Sequence, residues 1–232
     1  DPRGLTPPEG RRAKAVAIIT DGNGRWATNH GLPVVEGHRA GADNVKARLR
    51  DCVELGIEQL TVYSFSTENW ARSPEEVLGL MTMFAERIKS ETPELDAEGV
   101  RMRFIGDRDD PRVPSNLVDL MDQAEATTAE NTTIDLFVAF NYGSRDEIVR
   151  AAERYEGGGE EVFGDLVGDP LQRDPDLLIR TSGEQRISNF LLWQCAYSEF
   201  VFHDALWPDF SRADLESCLN EFTERERRFG GR

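Results

Sequence analysis

The sequence predicts an α/β fold: a mainly parallel central β-sheet flanked by helices on both faces. Three observations carry this. Six short apolar runs, at 15–20, 59–65, 102–106, 134–140, 177–181 and 199–203, read as buried strands. Helical patterns fill most of the gaps between them. At 232 residues the chain is long enough for one well-filled core, and no Gly/Ser/Pro linker divides it. Residues 14–232 therefore read as one domain, preceded by a flexible Pro-, Gly- and Arg-rich tail over 1–13.

The first strand, 15–20, runs into Asp21-Gly22-Asn23-Gly24-Arg25-Trp26. Open α/β sheets bind ligands at the carboxyl ends of their strands, where glycines let backbone N–H groups approach phosphate oxygens. Asp21 offers a hard oxygen ligand, suited to magnesium held between carboxylate and phosphate. The competing explanation is a strand-to-helix turn with Asp21 as the N-cap. Residues 22–27 also satisfy a dinucleotide fingerprint, but the acidic residue expected roughly twenty positions on is missing.

A helix follows at 38–55, with His38 at its start as either a structural residue or a phosphate contact. The strand at 59–65 opens onto Ser66, Asn69 and Arg72, which supply hydroxyl, amide and guanidinium donors. Phe65 and Trp70 add apolar surface there, and polar donors beside large aromatics suit a ligand charged at one end and apolar at the other. Taken singly, both aromatics read as core.

Ser73-Pro74-Glu75-Glu76 supplies a cap, a first-turn proline and acids facing the helix dipole, starting a helix over 74–90. Its stripe of Val77, Leu80, Met81, Phe84 and Ile88 is either ordinary core or the wall of an apolar channel. Further helices are expected at 114–130, 144–155 and 211–228, and 156–175 reads as a surface connection. The strand at 177–181 opens onto Arg180-Thr181-Ser182-Gly183-Glu184-Gln185-Arg186-Ile187-Ser188, with Glu199 beyond it. Paired arginines with hydroxyls between them suit a diphosphate, because the guanidinium fork matches phosphate oxygens two at a time. The alternative is a solvated loop with ordinary salt bridges.

The net charge of −16 argues against broad nucleic-acid binding, so an anionic ligand must be captured locally. No apolar run approaches bilayer length, and the start shows no charged-then-apolar leader. Three widely spaced cysteines, Cys52, Cys195 and Cys218, fit reduced thiols in a cytoplasmic protein.

Taken in order, Asp-Gly-Asn-Gly-Arg-Trp-Ala at 21–27, Gly-His-Arg-Ala-Gly at 37–41, Tyr-Ser-Phe-Ser-Thr-Glu-Asn-Trp at 63–70, Phe-Ile-Gly-Asp at 104–107, Asn-Tyr-Gly at 141–143, the run at 176–194 and Leu-Trp-Pro-Asp-Phe at 206–210 closely resemble the cis-prenyltransferases. Bacterial undecaprenyl diphosphate synthases are the nearest members, and the likeness runs from about residue 14 to the end. It implies that family's fold with an apolar tunnel, in a homodimeric, magnesium-dependent enzyme. Such enzymes add isopentenyl diphosphate to an allylic diphosphate and form a Z double bond at each step.

By that resemblance Asp21 is the metal-linked catalytic acid. Asn23, Gly24, Arg25 and His38 hold or help release the allylic diphosphate, with Gly22 and Trp26 among the substrate contacts. Ser66, Asn69 and Arg72 line the catalytic centre beside Phe65 and Trp70. Arg180, Arg186 and Ser188 grip isopentenyl diphosphate, Glu199 is a second metal contact, and Arg228 and Gly230 belong to a tail motif reaching the partner's site. Cleaving the allylic C–O bond leaves positive carbon and negative diphosphate, which arginines and a metal stabilise, while a dry aromatic pocket excludes water.

The chain departs from the family pattern at Val34, in place of an arginine, and at Ala15 and Thr20, in place of histidine and methionine; the 156–175 connection is also short. The small Ser64 before Phe65-Ser66 leaves the tunnel open, with Phe137 and Phe140 as the residues able to block it. The expected product is a medium-to-long Z-polyprenyl diphosphate, with peripheral membrane contact for its release. Alternatives are a short-chain Z-prenyl product, irregular coupling of two allylic diphosphates, and a weakly active partner subunit that binds isoprenoid diphosphate.

Overall fold

The computed structural model describes residues 12–225, so the expectations for Arg228, Gly230 and most of the 1–13 tail lie outside the described residues. The strands are β1 (Ala15–Ile19), β2 (Gln59–Ser66), β3 (Val100–Ile105), β4 (Ile134–Tyr142), β5 (Leu177–Arg180) and β6 (Glu199–Phe202). All pair in parallel, in the order β3-β4-β2-β1-β5-β6.

Alternation along β1 divides the core. Val16 and Ile18 join Leu60, Val62, Leu177 and Ile179 on one face, whereas Ala17 and Ile19 join Tyr63, Phe137, Ala139 and Leu178 on the other. Both faces are covered, which is why these strands read as continuous apolar runs. Burying an isoleucine such as Ile18 contributes roughly 1.5–3 kcal/mol.

The helices are α1 (Asn23–Asn29), α2 (Val34–Glu54), α3 (Pro74–Ala97), α4 (Ser115–Thr128), α5 (Ser144–Arg154), α6 (Gly159–Leu166) and α7 (Arg212–Glu224). Helices α2, α3, α4 and α7 contribute side chains to the Val16 face. Phe190, Leu191 and Cys195 cover the opposite face.

Several boundaries differ from the expectations. Helix α1 is absent from the expected helices; its N-cap is Gly22, whose φ of 111° no side-chain-bearing residue adopts readily, so Asp21 is not that cap. Helix α2 begins at Val34 behind Pro33 instead of at His38. Helix α3 runs past Pro93 to Ala97, with buried Leu95 anchoring its final turn. The surface connection contains α6, which has acids Glu160 and Glu161 in its first turn and Phe163 edge-on to Tyr155 and Trp193.

Strand β1 lies between β2 and β5: the chain passes from β1 to β2 and outward on one side, then crosses from β4 to β5 on the other, so the strand order reverses at β1. Such a reversal opens a crevice beyond the carboxyl ends of the adjoining strands. Asp21 and Arg180 stand there.

Candidate active site

Asp21 follows β1 directly, and its backbone is fixed from three sides. Its carbonyl accepts from the Thr181 hydroxyl (2.7 Å) and the Trp207 N–H (2.9 Å), while its own N–H donates to the Ile19 carbonyl (3.0 Å). Arg180 Nη2 donates to Asp21 Oδ2 at 3.0 Å, and its Nη1 reaches the Ser188 hydroxyl (2.6 Å) and the Arg186 carbonyl (2.5 Å). Arg25 Nη2 lies 3.8 Å from the same carboxylate oxygen. Burial works to raise the Asp21 pKa, but hydrogen bonding and charge from Arg180, the nearby Ser182 dipole and the charge of Arg25 outweigh it, holding it below 3.8. The Ser182 Oγ itself is buried without a hydrogen bond of good geometry.

That orphaned hydroxyl has company. Arg180 Nε and Asn23 Oδ1 are also buried without partners. Buried polar atoms are normally satisfied, so this local shortage marks a place where a polar ligand would complete the bonding.

No cluster of three or more His, Cys, Asp or Glu side chains able to hold a metal occurs among the described residues. A cation here would be held by Asp21 together with ligand oxygens, the arrangement magnesium commonly takes with phosphates. An ionised, partly exposed carboxylate beside anion-binding donors fits that need.

Glu199 does not join Asp21 within one chain. Leu177 pairs with both Val16 and Glu199, so Glu199 stands level with the start of β1, roughly 16 Å of strand rise from Asp21. Its Oε2 accepts from Arg225 instead. Arg186 also fails to converge: its guanidinium is 64% exposed and pairs with Glu184, leaving only its carbonyl on Arg180.

The remaining expected residues surround the crevice. Asn23 and Gly24 open α1, and Gly37 and Gly41 let α2 approach so closely that a Cβ on Gly37 would lie 2.1 Å from the Asn23 carbonyl oxygen. Trp26 turns away to Asp209, donating from Nε1 at 2.7 Å. His38 faces Glu76 (3.6 Å) and Arg72 (3.4 Å). Burial first, and then the Arg72 charge, lower its pKa against the pull of Glu76, favouring the neutral ring.

Ser66 and Asn69 close a reciprocal cap on the turn Thr67–Ala71, with the Asn69 side chain accepting from the Ser66 N–H at 2.9 Å. Arg72 ends that turn and pairs with Glu76 at 2.5 Å. Phe65 is core, as the simpler reading had it, stacked on Phe140 with Trp70 edge-on at 5.0 Å.

Beneath the crevice lies a cavity of about 110 Å³. Thr20, Asn23 and His38 border it, and its wall includes Val62, Ser64, Met83, Phe84, Met102, Met121 and Phe140. Of the α3 stripe only Phe84 and Ile88 line it, and Leu80 and Met81 are core. Phe137 cannot block it, because strand alternation places that ring in the core of the opposite face. Sequence reasoning gave Thr181 and Ser182 no role beyond membership of the 180–188 run and left Trp207 off the site, although all three fall within the family-like motifs.

The match to known proteins covers almost the whole chain. The family model described as "Putative undecaprenyl diphosphate synthase" matches residues 19–230. The chain is 48% identical over 227 residues to isoprenyl transferase 2 of Bradyrhizobium diazoefficiens, covering 93% of this chain and 89% of that protein. It is 47% identical over 226 residues to the (2E,6E)-farnesyl-diphosphate-specific ditrans,polycis-undecaprenyl-diphosphate synthase of Pseudomonas aeruginosa, with the same two coverages. The crystal structure of lavandulyl diphosphate synthase from Lavandula x intermedia, in complex with dimethylallyl diphosphate, superposes with a TM-score of 0.90 at 35% identity, covering 95% of this chain and 99% of that one. With a family model spanning most of its length and relatives near half identity, this chain belongs to the undecaprenyl diphosphate synthase family of prenyltransferases and is a transferase.

Proposed function

We propose that this enzyme condenses isopentenyl diphosphate with an allylic diphosphate primer and builds a medium-to-long Z-polyprenyl diphosphate. The observation that carries the reading is the Asp21–Arg180–Ser188 cluster at the point where the strand order reverses, with Thr20 and Asn23 on either side of Asp21 bordering an apolar cavity. A charged head and an apolar tail would thus each find their own surface.

In this reading Asn23, Gly24 and Arg25 receive the allylic diphosphate, with His38 close by, and Arg180 and Ser188 receive the isopentenyl diphosphate. Arg186 would join by leaving Glu184, a surface pairing that costs little to break. Magnesium, held by Asp21 and diphosphate oxygens, would neutralise the leaving group. Arg180 would meanwhile orient the carboxylate, and the aromatic frame of Phe65, Phe84 and Phe140 would keep water from the reacting carbons.

A cavity of about 110 Å³ is smaller than one known to hold benzene, so chain growth requires the wall to yield. Met83, Met102 and Met121 are the flexible side chains able to do so.

We further take 14–232 as one catalytic unit acting as a homodimer in the cytoplasm, with peripheral membrane contact when product leaves. One continuous sheet, an edge strand β6 with Phe202 37% exposed, and free buried cysteines support these readings. Among the described residues no helix is long and apolar enough to cross a membrane.

The test is incubation of purified protein with isopentenyl diphosphate, magnesium and primers of several lengths, followed by product mass. A product that stops at fifteen carbons refutes the chain-length reading, and no incorporation refutes the activity. The likeness to lavandulyl diphosphate synthase favours one second reading, coupling of two allylic diphosphates. Incubation with dimethylallyl diphosphate alone separates the two.

A further inference from the structure

Asn141 sits near the end of β4 and is 1% exposed, yet its backbone is left-handed at φ 46°. Its side chain ties β4 to two other segments, the Trp70 turn and the loop after β3. Oδ1 accepts from Trp70 Nε1 at 2.7 Å, while Nδ2 donates to the Asp107 carbonyl at 2.9 Å and to Asp110 Oδ2 at 3.1 Å. The Asp107 N–H returns a bond to the Asn141 carbonyl at 3.1 Å. A buried amide with three bonds to two other segments holds them in one register with β4, and losing any partner leaves a costly orphan.

Asp110 extends the connection. Its carboxylate grips Arg112 through Nε (2.9 Å) and Nη2 (2.6 Å), and that guanidinium lies 4.8 Å from the centre of the Trp70 ring. Trp70 is therefore tied by its N–H, covered on its face and met at its edge by Phe65. It belongs to the same short turn as Asn69, between the capped Ser66 and Arg72.

We propose that Asn141 is a positioning residue for the condensation, holding Trp70 and thereby the 66–72 turn, with the Asp110–Arg112 pair clamping the indole from outside. The inference rests on that turn being part of the condensation site. Nothing in the roles assigned to Ser66, Asn69 and Arg72 explains why a left-handed asparagine, an aspartate and an arginine from two other segments should converge on the neighbouring indole.

The test uses Asn141→Asp, Trp70→Phe, their combination, and Arg112→Gln, in the full chain. Aspartate tolerates the left-handed backbone and keeps the acceptor for Trp70, but sets a second carboxylate against Asp110. Single-turnover rates of isopentenyl diphosphate incorporation are read because they do not depend on the fraction of folded enzyme. Asn141→Asp and Trp70→Phe are each expected to slow the step by about tenfold to a hundredfold, the scale of a small misplacement of reacting groups.

The combined variant should be no slower than Trp70→Phe alone, since Asn141 acts through that ring. Arg112 is a half-exposed side chain whose loss leaves the core intact, and Arg112→Gln should slow the step severalfold. Losses that multiply in the combined variant, or parental rates in both Asn141→Asp and Arg112→Gln, overturn the proposal. A parent protein that incorporates no isopentenyl diphosphate overturns the functional reading instead.

Discussion

Arg180 Nη2 stands 3.0 Å from Asp21 Oδ2, so the guanidinium that closes β5 is bonded to the carboxylate that follows β1. Arg180 is only 5% exposed, and the contact ties together two strand ends 159 positions apart in the chain. A buried arginine needs a partner, and an exposed-edge carboxylate needs help to stay ionised at the mouth of an apolar cavity. Each supplies the other's requirement while both keep further bonding capacity for a ligand.

Asp21→Ala is expected to lower isopentenyl diphosphate incorporation by about a thousandfold or more, the scale of losing a principal charge-stabilising group. Asp21→Asn should lose comparable activity yet keep a hydrogen bond to Arg180, with a melting temperature lowered by loss of the counter-charge but less than in Asp21→Ala. Arg186→Ala, on the surface, should raise the KM for isopentenyl diphosphate without moving the melting temperature. Steady-state kinetics and thermal unfolding check all three, and near-normal turnover in Asp21→Ala would overturn its role.

His38 titrates below its ordinary value of 6.5 because the folded protein buries the ring and sets Arg72 beside it. A group whose folded pKa is depressed gives stability that is present above the unfolded value and lost as pH falls through the folded one. Urea unfolding should therefore show stability declining below about pH 6.5, and His38→Gln should flatten that part of the profile. An unchanged slope in the variant would remove His38 as its source.

Gly37→Ala places a Cβ 2.1 Å from the Asn23 carbonyl oxygen, which is backbone and cannot swing aside. Helices α1 and α2 must then separate. A loss of about 1–3 kcal/mol is expected from this overpacking, read by chemical denaturation, together with weaker binding of the allylic diphosphate.

Three of the chain's four methionines line the cavity. Replacing Met102 and Met121 together by isoleucine keeps similar bulk but stiffens the side chains. Product mass should shift toward shorter chains while the first condensation keeps its rate. An unaltered product distribution would show that the wall yields elsewhere.

Much of the site was legible because the chemistry sits at strand ends. Asp21, Ser66 and Arg180 each terminate an apolar run, and a strand buried on both faces announces where it stops. Helix α1 escaped because its seven residues, Asn-Gly-Arg-Trp-Ala-Thr-Asn, carry no repeating apolar face. The separation of Glu199 from Asp21 within one chain was hidden for a different reason. The place of Glu199 depends on the register between β5 and β6, and spacing along the chain carries no information about that register.

By itself the sequence determined the α/β class, the parallel sheet and the strand ends that carry polar groups, because hydrophobic periodicity and turn residues are local properties. The tertiary structure alone decided which ends meet. Only the strand order sets Arg180 on Asp21, and only alternation across the folded sheet sends Phe140 into the cavity and Phe137 to the opposite core. Asn141 could be tied to Trp70 only after β4 and β2 had paired, since contacts between distant segments follow from packing, which no local pattern encodes.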